Sequence, residues 1–381
     1  MRNRIVVLAC LAILASCLDP YIPPIKPGDV NILVIDGSLD ATDGTASVVL
    51  SRAVTLDQPD EFPSVRGAFV AIEDGNGNTY PLVEGDSGTY KIAAVPIDDK
   101  AHYRLHVITS ARDEYYSEFV DPLPTPEIDS ITYIVDESKL TVRVNTHDDS
   151  NQAKYFRWTF DETWNYHAGL LSQYIVIGKG QLRFRTPDEM IYYCWNTKPS
   201  YDIVATSTTR LSKSVVSQFP VQYITAGSLK LQMRYSILLK QRTISEDEYE
   251  YLEQLRKTTE SIGGLFDPQP TAVTGNINRV MPASPVALGY FSVGRTTSKR
   301  FYINASDLPK VYREIYPPLG CIPPDTVCGM AGNGCAMTIA DLRPGDILGT
   351  AAVKGYVLTS TRCADCRVEG GVTTKPDFWE D

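Results

Sequence analysis

Apolar and polar residues alternate, or run β-branched, through most of residues 30–120. Val30–Asp36, Ala46–Arg52, Ala68–Glu73, Thr79–Val83, Thr89–Ile92, His102–Ile108 and Glu114–Val120 each read as a short strand. Turn clusters separate them: Asp43-Gly44, Asp74-Gly75-Asn76-Gly77-Asn78 and Gly85-Asp86-Ser87-Gly88. Short strands at this density, with no helical period, predict an immunoglobulin-like β-sandwich over residues 29–121. The cysteine pair of an antibody domain is absent from that span.

Three alternate prolines in Asp121-Pro122-Leu123-Pro124-Thr125-Pro126 forbid helix and central strand, so residues 122–126 read as a linker. Strand patterns then resume at Ile131–Val135, Leu140–Thr146, Tyr155–Glu162, Met190–Trp195, Leu229–Leu239, Ala287–Val293 and Arg300–Asn304. The nearly continuous bulky residues of Tyr155–Phe160 and Met190–Trp195 predict strands covered on both faces. One helix is expected, over residues 245–262. Ser245-Glu246-Asp247-Glu248 has the form of a capping box, Tyr249, Leu252 and Leu255 share a face, and Gly263-Gly264 stops it. Residues 127–381 thus form a larger β-rich domain with one capped helix. The fold class is mainly β.

The start of the chain differs. Arg2 and Arg4 precede an apolar run from Ile5 to Leu14, about half the length needed to span a bilayer. This is the form of a signal peptide over residues 1–16. It closes in Leu14-Ala15-Ser16-Cys17, which resembles the bacterial lipobox and makes Cys17 the expected acylated residue. Each buried methylene of an acyl chain contributes about 0.8 kcal/mol, so two or three chains hold firmly. Residues 17–28 are rich in proline and read as an extended stalk. The expected location is therefore a membrane of the cell envelope, with the lipid as a partner and the exposed face left open. The formal net charge is −10, and discarding Arg2 and Arg4 makes it more negative. With no long basic patch, nucleic acid is not an expected partner.

Six cysteines remain beyond Cys10 and Cys17: Cys194, Cys321, Cys328, Cys335, Cys363 and Cys366. An even number at an extracytoplasmic address predicts disulfides that staple the C-terminal segment, and spacing does not choose among the pairings. Two other readings stay open: a zinc site using the Cys363-Ala364-Asp365-Cys366 knuckle, though no second knuckle matches it, and a redox-active pair.

Other candidate chemistry is thin. His102 and His106 lie about 13 Å apart if in one strand, too far to share a metal, and are expected to be exposed. His147-Asp148-Asp149 reads as a solvated loop. Gly85-Asp86-Ser87-Gly88 imitates a serine-protease loop, and Asp74–Asn78 imitates the first positions of a calcium loop; turn chemistry accounts for both. No phosphate loop, dinucleotide fingerprint or His-Glu-x-x-His is present, so no catalytic residue, metal or cofactor is expected. The 22 tyrosines against 11 phenylalanines stand out; Tyr115-Tyr116, Tyr192-Tyr193 and Tyr249-x-Tyr251 are candidates for a stacking surface.

Several short motifs occur in a specific order: Cys17-Leu18-Asp19-Pro20, Leu33–Gly37, Cys194-Trp195, Gly264–Pro270, Gly275-Asn276-Ile277, Leu288-Gly289-Tyr290-Phe291, and Cys363–Arg367 with Lys375–Trp379. In this order they resemble the DUF4249 lipoproteins of the Bacteroidota. The resemblance implies an outer-membrane lipoprotein encoded beside TonB-dependent transporters, and no catalytic residues. The leading expectation is an accessory protein that captures or gates a ligand for such a transporter. The alternatives are a structural or adhesion module of the cell surface, and an envelope hydrolase using acids such as Asp161 and Glu162.

Overall fold

The computed structural model describes residues 32–53, 63–260, 273, 275–313, 325–328, 337–351 and 355–380. Cys17, residues 1–16 and 17–28, Cys321 and Cys335 lie outside them. The fold is mainly β, as the alternation predicts.

Two sheets face each other in the N-terminal half. One runs in the order Ala287–Gly294, Leu33–Asp40, Ala46–Arg52, Thr89–Ile92, Val83–Glu84; the other runs Ile277–Arg279, Glu114–Ser117, Tyr103–Ile108, Phe69–Asp74, Thr79–Pro81. Along Leu33–Asp40 every second side chain is buried, which places Leu33, Ile35 and Leu39 in the core with Val48, Leu105 and Phe291. Removing that apolar surface from water is what holds the sheets together.

Two of these strands come from far along the chain. Ala287–Gly294, expected within the C-terminal domain, pairs in parallel with Leu33–Asp40 through eight residue partners. Ile277–Arg279 caps the opposite sheet beside Glu114–Ser117. Residues 29–121 therefore supply most of the sandwich but not both of its outer strands. A boundary drawn from local composition has no access to a pairing across some 250 residues.

The reason Ala287–Gly294 fits is backbone proximity. Gly289 has φ +132°, and a Cβ there would lie 1.8 Å from the Ile35 carbonyl oxygen; a Cβ at Gly275 would lie 1.6 Å from the Gly289 carbonyl oxygen. Only glycine admits this approach. Asn276 then holds the strand by a two-way bond, its amide donating to the Phe291 carbonyl and its oxygen accepting from the Phe291 N–H, both at 2.8 Å.

The C-terminal half packs the sheet Ser214–Thr225, Lys139–Asp148, Ile128–Val135 against the sheet Tyr193–Pro199, Tyr155–His167, Arg234–Ile244, Thr296–Asn304. Phe156, Trp158, Phe160, Tyr235 and Ile237 fill the space between. Tyr155–His167 is not covered equally on both faces: Phe156, Trp158 and Phe160 are buried, whereas Tyr155, Arg157 and Thr159 are half-buried. The segment expected as a strand from Leu229 begins as a short turn, Leu229–Leu231, capped by Ser228, and the strand starts at Arg234. A smaller sheet combines Tyr174–Gly178 and Gln181–Phe184 with Ile347–Ala351 and Gly355–Thr359.

Residues 122–126 do not behave as a free linker. Thr125 donates to the Arg295 carbonyl and accepts from the Thr243 N–H, and the Pro126 carbonyl accepts from Gln241. The chain also passes directly from Ala287–Gly294 in the sandwich to Thr296–Asn304 in the C-terminal sheet. At that passage Thr42 and Thr296 exchange hydrogen bonds of 2.8 and 3.2 Å. No helix among the described residues is long and apolar enough to cross a membrane.

Candidate functional site: a charged, tyrosine-walled cleft

A cleft of about 1370 Å³ opens where the sandwich meets the C-terminal half. Its floor is the half-buried face of two neighbouring strands. Arg157 on Tyr155–His167 stands directly opposite Arg242 on Arg234–Ile244, and Thr159 stands opposite Lys240. Three cations on adjacent rungs repel one another unless acids answer them.

The acids come from three elements. The helix Glu246–Glu260 supplies Glu248, whose carboxylate lies 3.3 Å from Arg157 Nη1. The sandwich strand Leu33–Asp40 supplies Asp40, 3.8 Å from Arg242 Nη2. Asp161 holds Lys240 at 2.7 Å. Arg242 also donates to the hydroxyls of Ser292 and Thr296. Burial pushes the Glu248 carboxyl up, against the pull of Arg157 and Arg242. Burial likewise pushes the Arg242 guanidinium down, opposed by Glu248 and Asp40. Burial works against the Asp40 charge too, yet hydrogen bonds from Thr296 and Thr42 and the Arg242 charge hold its carboxyl below the usual range.

Glu248 has the sequence position of a capping-box glutamate, but only half of that box serves the helix end. The Ser245 hydroxyl accepts from the Glu248 N–H at 3.1 Å, while the Glu248 side chain is turned to Arg157. The carboxylate that sequence assigns to the cap belongs to the cleft.

Tyrosines form the walls. Tyr251 and Tyr290 lie 5.2 Å apart between ring centres, and Tyr155 and Tyr249 are also 5.2 Å apart. The Tyr290 hydroxyl meets Ser245 at 3.3 Å, and burial carries its ionisation up to about 12. Of the paired tyrosines singled out in sequence, Tyr249 and Tyr251 reach the cleft. Tyr115 is buried and donates to the Pro285 carbonyl, and Tyr192-Tyr193 pack with His167 away from it.

The cysteines answer one open question. Cys194 is bonded to Cys366, 172 residues away, and Cys363 is disulfide-bonded as well. Neither sulfur of the Cys363–Cys366 knuckle is therefore free to bind zinc, and the two do not form a redox pair with each other. Cys328 ends the strand Asp325–Cys328. Among the described residues no group of three or more His, Cys, Asp or Glu is placed to hold a metal ion.

His106 departs from expectation. It is buried, with Nδ1 2.9 Å from Glu73 and Nε2 2.9 Å from Glu114, and it stacks on Tyr116. Its strand turns it toward two acids on neighbouring strands, which the local pattern does not display. His102 is exposed and meets Asp121. His147 lies at the end of Lys139–Asp148, where Asp129 at 2.8 Å raises its pKa. The calcium-like loop is occupied by its own turn: Asp74 accepts from the backbone of Asn76 and Asn78 and from the side chains of Asn78 and Tyr80. Gly85–Gly88 is a hairpin turn, with Ser87 and Gly88 at positive φ.

Asp161 and Glu162 do not form a carboxylate pair. Adjacent strand residues point to opposite faces. Asp161 lies on the cleft face with Lys240; Glu162 is buried on the other and is held by Lys230, Tyr235 and Gln222 at 2.6–2.8 Å.

Arg157, Arg242, Asp40 and Asp36 were not among the sequence candidates. One signal was present: an arginine at the centre of the bulky run Tyr155–Phe160 has to find a charged partner if the strand is covered.

Residues 18–300 match the profile of DUF4249, described as a domain of unknown function. No curated protein matches the chain. Among solved structures, a two-domain fibronectin type-III segment of chicken tenascin is similar at 13% identity. That match covers 55% of this chain and 89% of the tenascin segment, with a TM-score of 0.16.

Proposed function

The chain belongs to the DUF4249 family, and on that premise we propose that it is a lipid-anchored outer-membrane protein that captures a ligand for a TonB-dependent transporter. Acylated Cys17 is the anchor, residues 17–28 are the spacer, and the cleft between the sandwich and the C-terminal half is the capture site. The observation that carries the reading is the cleft itself. Its volume of about 1370 Å³ exceeds the range of roughly 300–1,000 Å³ usual for small-ligand sites. Its charges and tyrosines are carried mainly by strands and by the helix Glu246–Glu260. The Arg157–Glu248 and Lys240–Asp161 pairs suit binding and orientation of a polar ligand. The accessory role rests on the family resemblance and the lipobox.

A deletion strain tests this. Loss of the gene is expected to lower uptake of one nutrient class, restored by the wild-type chain and not by Cys17→Ala. Loss of surface attachment with uptake intact would favour an adhesion module and overturn the proposal.

A further inference from the structure

Resting on the capture-site reading above, we infer that the ligand is an extended peptide, with a carboxylate of the peptide on Arg157 and an ammonium on Asp36.

Two charges of the cleft are open. Arg157 spends one nitrogen on Glu248, at 3.3 Å, and the rest of its fork has no partner among the described residues. A guanidinium carries five donors in a planar array that matches a carboxylate. Asp36 lies on the sandwich strand Leu33–Asp40, is exposed, and its carboxylate has no hydrogen bond or ion pair among the described residues. Both charges act on one hydroxyl. Tyr251 is pushed up by burial, further up by Asp36, and back down by Arg157. The cleft therefore holds an open anion and a partly open cation around a single tyrosine, the pattern that complements a zwitterion.

The cleft also presents strand edges. Val204–Ser207 pairs on one side only, with Tyr155–Trp158, among the described residues. Ser214–Thr225 is the outer strand of its sheet, paired with Lys139–Asp148. Ala205 of the first lines the cleft; the second is bulged and presents Pro220 there, which has no N–H, so the first is the edge that is open. An edge strand in a concave site offers its backbone groups to the main chain of an extended peptide, while neighbouring pockets take alternate side chains. Tyr249, Tyr251 and Tyr290 give those side chains apolar walls with polar tips. A neutral oligosaccharide leaves the Arg157 and Asp36 charges unanswered and makes no use of the edge.

The test is equilibrium binding to the full-length chain in detergent. The probe is a tryptic digest of serum albumin, with retained peptides read by mass spectrometry and one retained peptide then synthesised for titration. Saturable binding is expected, weakened about tenfold by Asp36→Asn and by Arg157→Lys. Asp36 is exposed and unpaired, so its variant keeps the fold, and unchanged thermal unfolding confirms that. Replacing the seated carboxylate or the seated ammonium of the same peptide by a neutral group should weaken binding to a similar degree. Retention of no peptide, binding of maltoheptaose in its place, or peptide affinity indifferent to both variants would overturn the inference. A transporter that co-purifies while peptides fail leaves the accessory reading standing; peptides that bind while no transporter co-purifies leave this one.

Discussion

Arg157 stands directly opposite Arg242 on the neighbouring strand, two like charges on one rung, and a single glutamate from the helix, Glu248, acts on both. Such a pairing is unfavourable in isolation. It persists because acids answer both: Glu248 of the helix lies 3.3 Å from Arg157, and Asp40 lies 3.8 Å from Arg242. Removing one partner of a buried ion pair leaves the other uncompensated and costs roughly 3–5 kcal/mol. Glu248→Ala is thus expected to lower unfolding free energy by about 3 kcal/mol or more. Glu253→Ala, at a surface pair with Arg256, should cost under about 1 kcal/mol. Chemical denaturation of both variants checks the contrast.

A Cβ at Gly289 would lie 1.8 Å from the Ile35 carbonyl oxygen. Gly289→Ala must push the strand Ala287–Gly294 away from Leu33–Asp40, at a cost on the order of 3 kcal/mol. Gly85→Ala meets its nearest atom at 3.5 Å, an ordinary contact, and should change stability by under about 0.5 kcal/mol. Hydrogen exchange of the Val34–Leu39 amides should rise in the first variant and not in the second.

The Cys194–Cys366 bond closes a loop of 172 residues and ties the tail to the strand Tyr193–Pro199. In the chain-entropy account a loop of this length contributes about 5 kcal/mol, and measured losses run roughly 2–5 kcal/mol. Cys194→Ser is expected to fall in that range by denaturation. Peptide mapping without reductant should recover the two cysteines in one linked fragment.

Tyr290 gives a pH dependence of definite sign. Burial raises its folded pKa to about 12, from an ordinary value of 10.0. The folded state therefore binds the proton more tightly than the unfolded chain. The stabilisation is whole below pH 10 and is lost as pH rises from there toward 12. Tyr155, also raised to about 12 mainly by its hydrogen bond to Glu246, acts in the same window. A spectrophotometric titration should show tyrosines ionising late, and Tyr290→Phe should flatten the fall in stability over that interval.

Much of the fold was legible because strand alternation is local. Leu33–Asp40 shows its buried set directly, and Ser245 marks the helix start. The missed parts are those that need long-range pairing. Nothing near Ala287 reports that its partner is Leu33, although Gly275-Asn276 and Gly289 are the residues that make the pairing feasible. The site was less legible still. Arg157, Arg242, Asp40 and Glu248 come from four elements and become one cluster only after folding. Part of the tyrosine excess has a place in the walls of that cluster.

The most direct measurement is co-purification from native outer membranes. The full-length chain, tagged at its C-terminus and solubilised gently, is predicted to bring down a TonB-dependent transporter in near-stoichiometric amount. Cys17→Ala is predicted to lose both the membrane fraction and the transporter. Recovery of the acylated wild-type chain from outer membranes with no transporter would contradict the account.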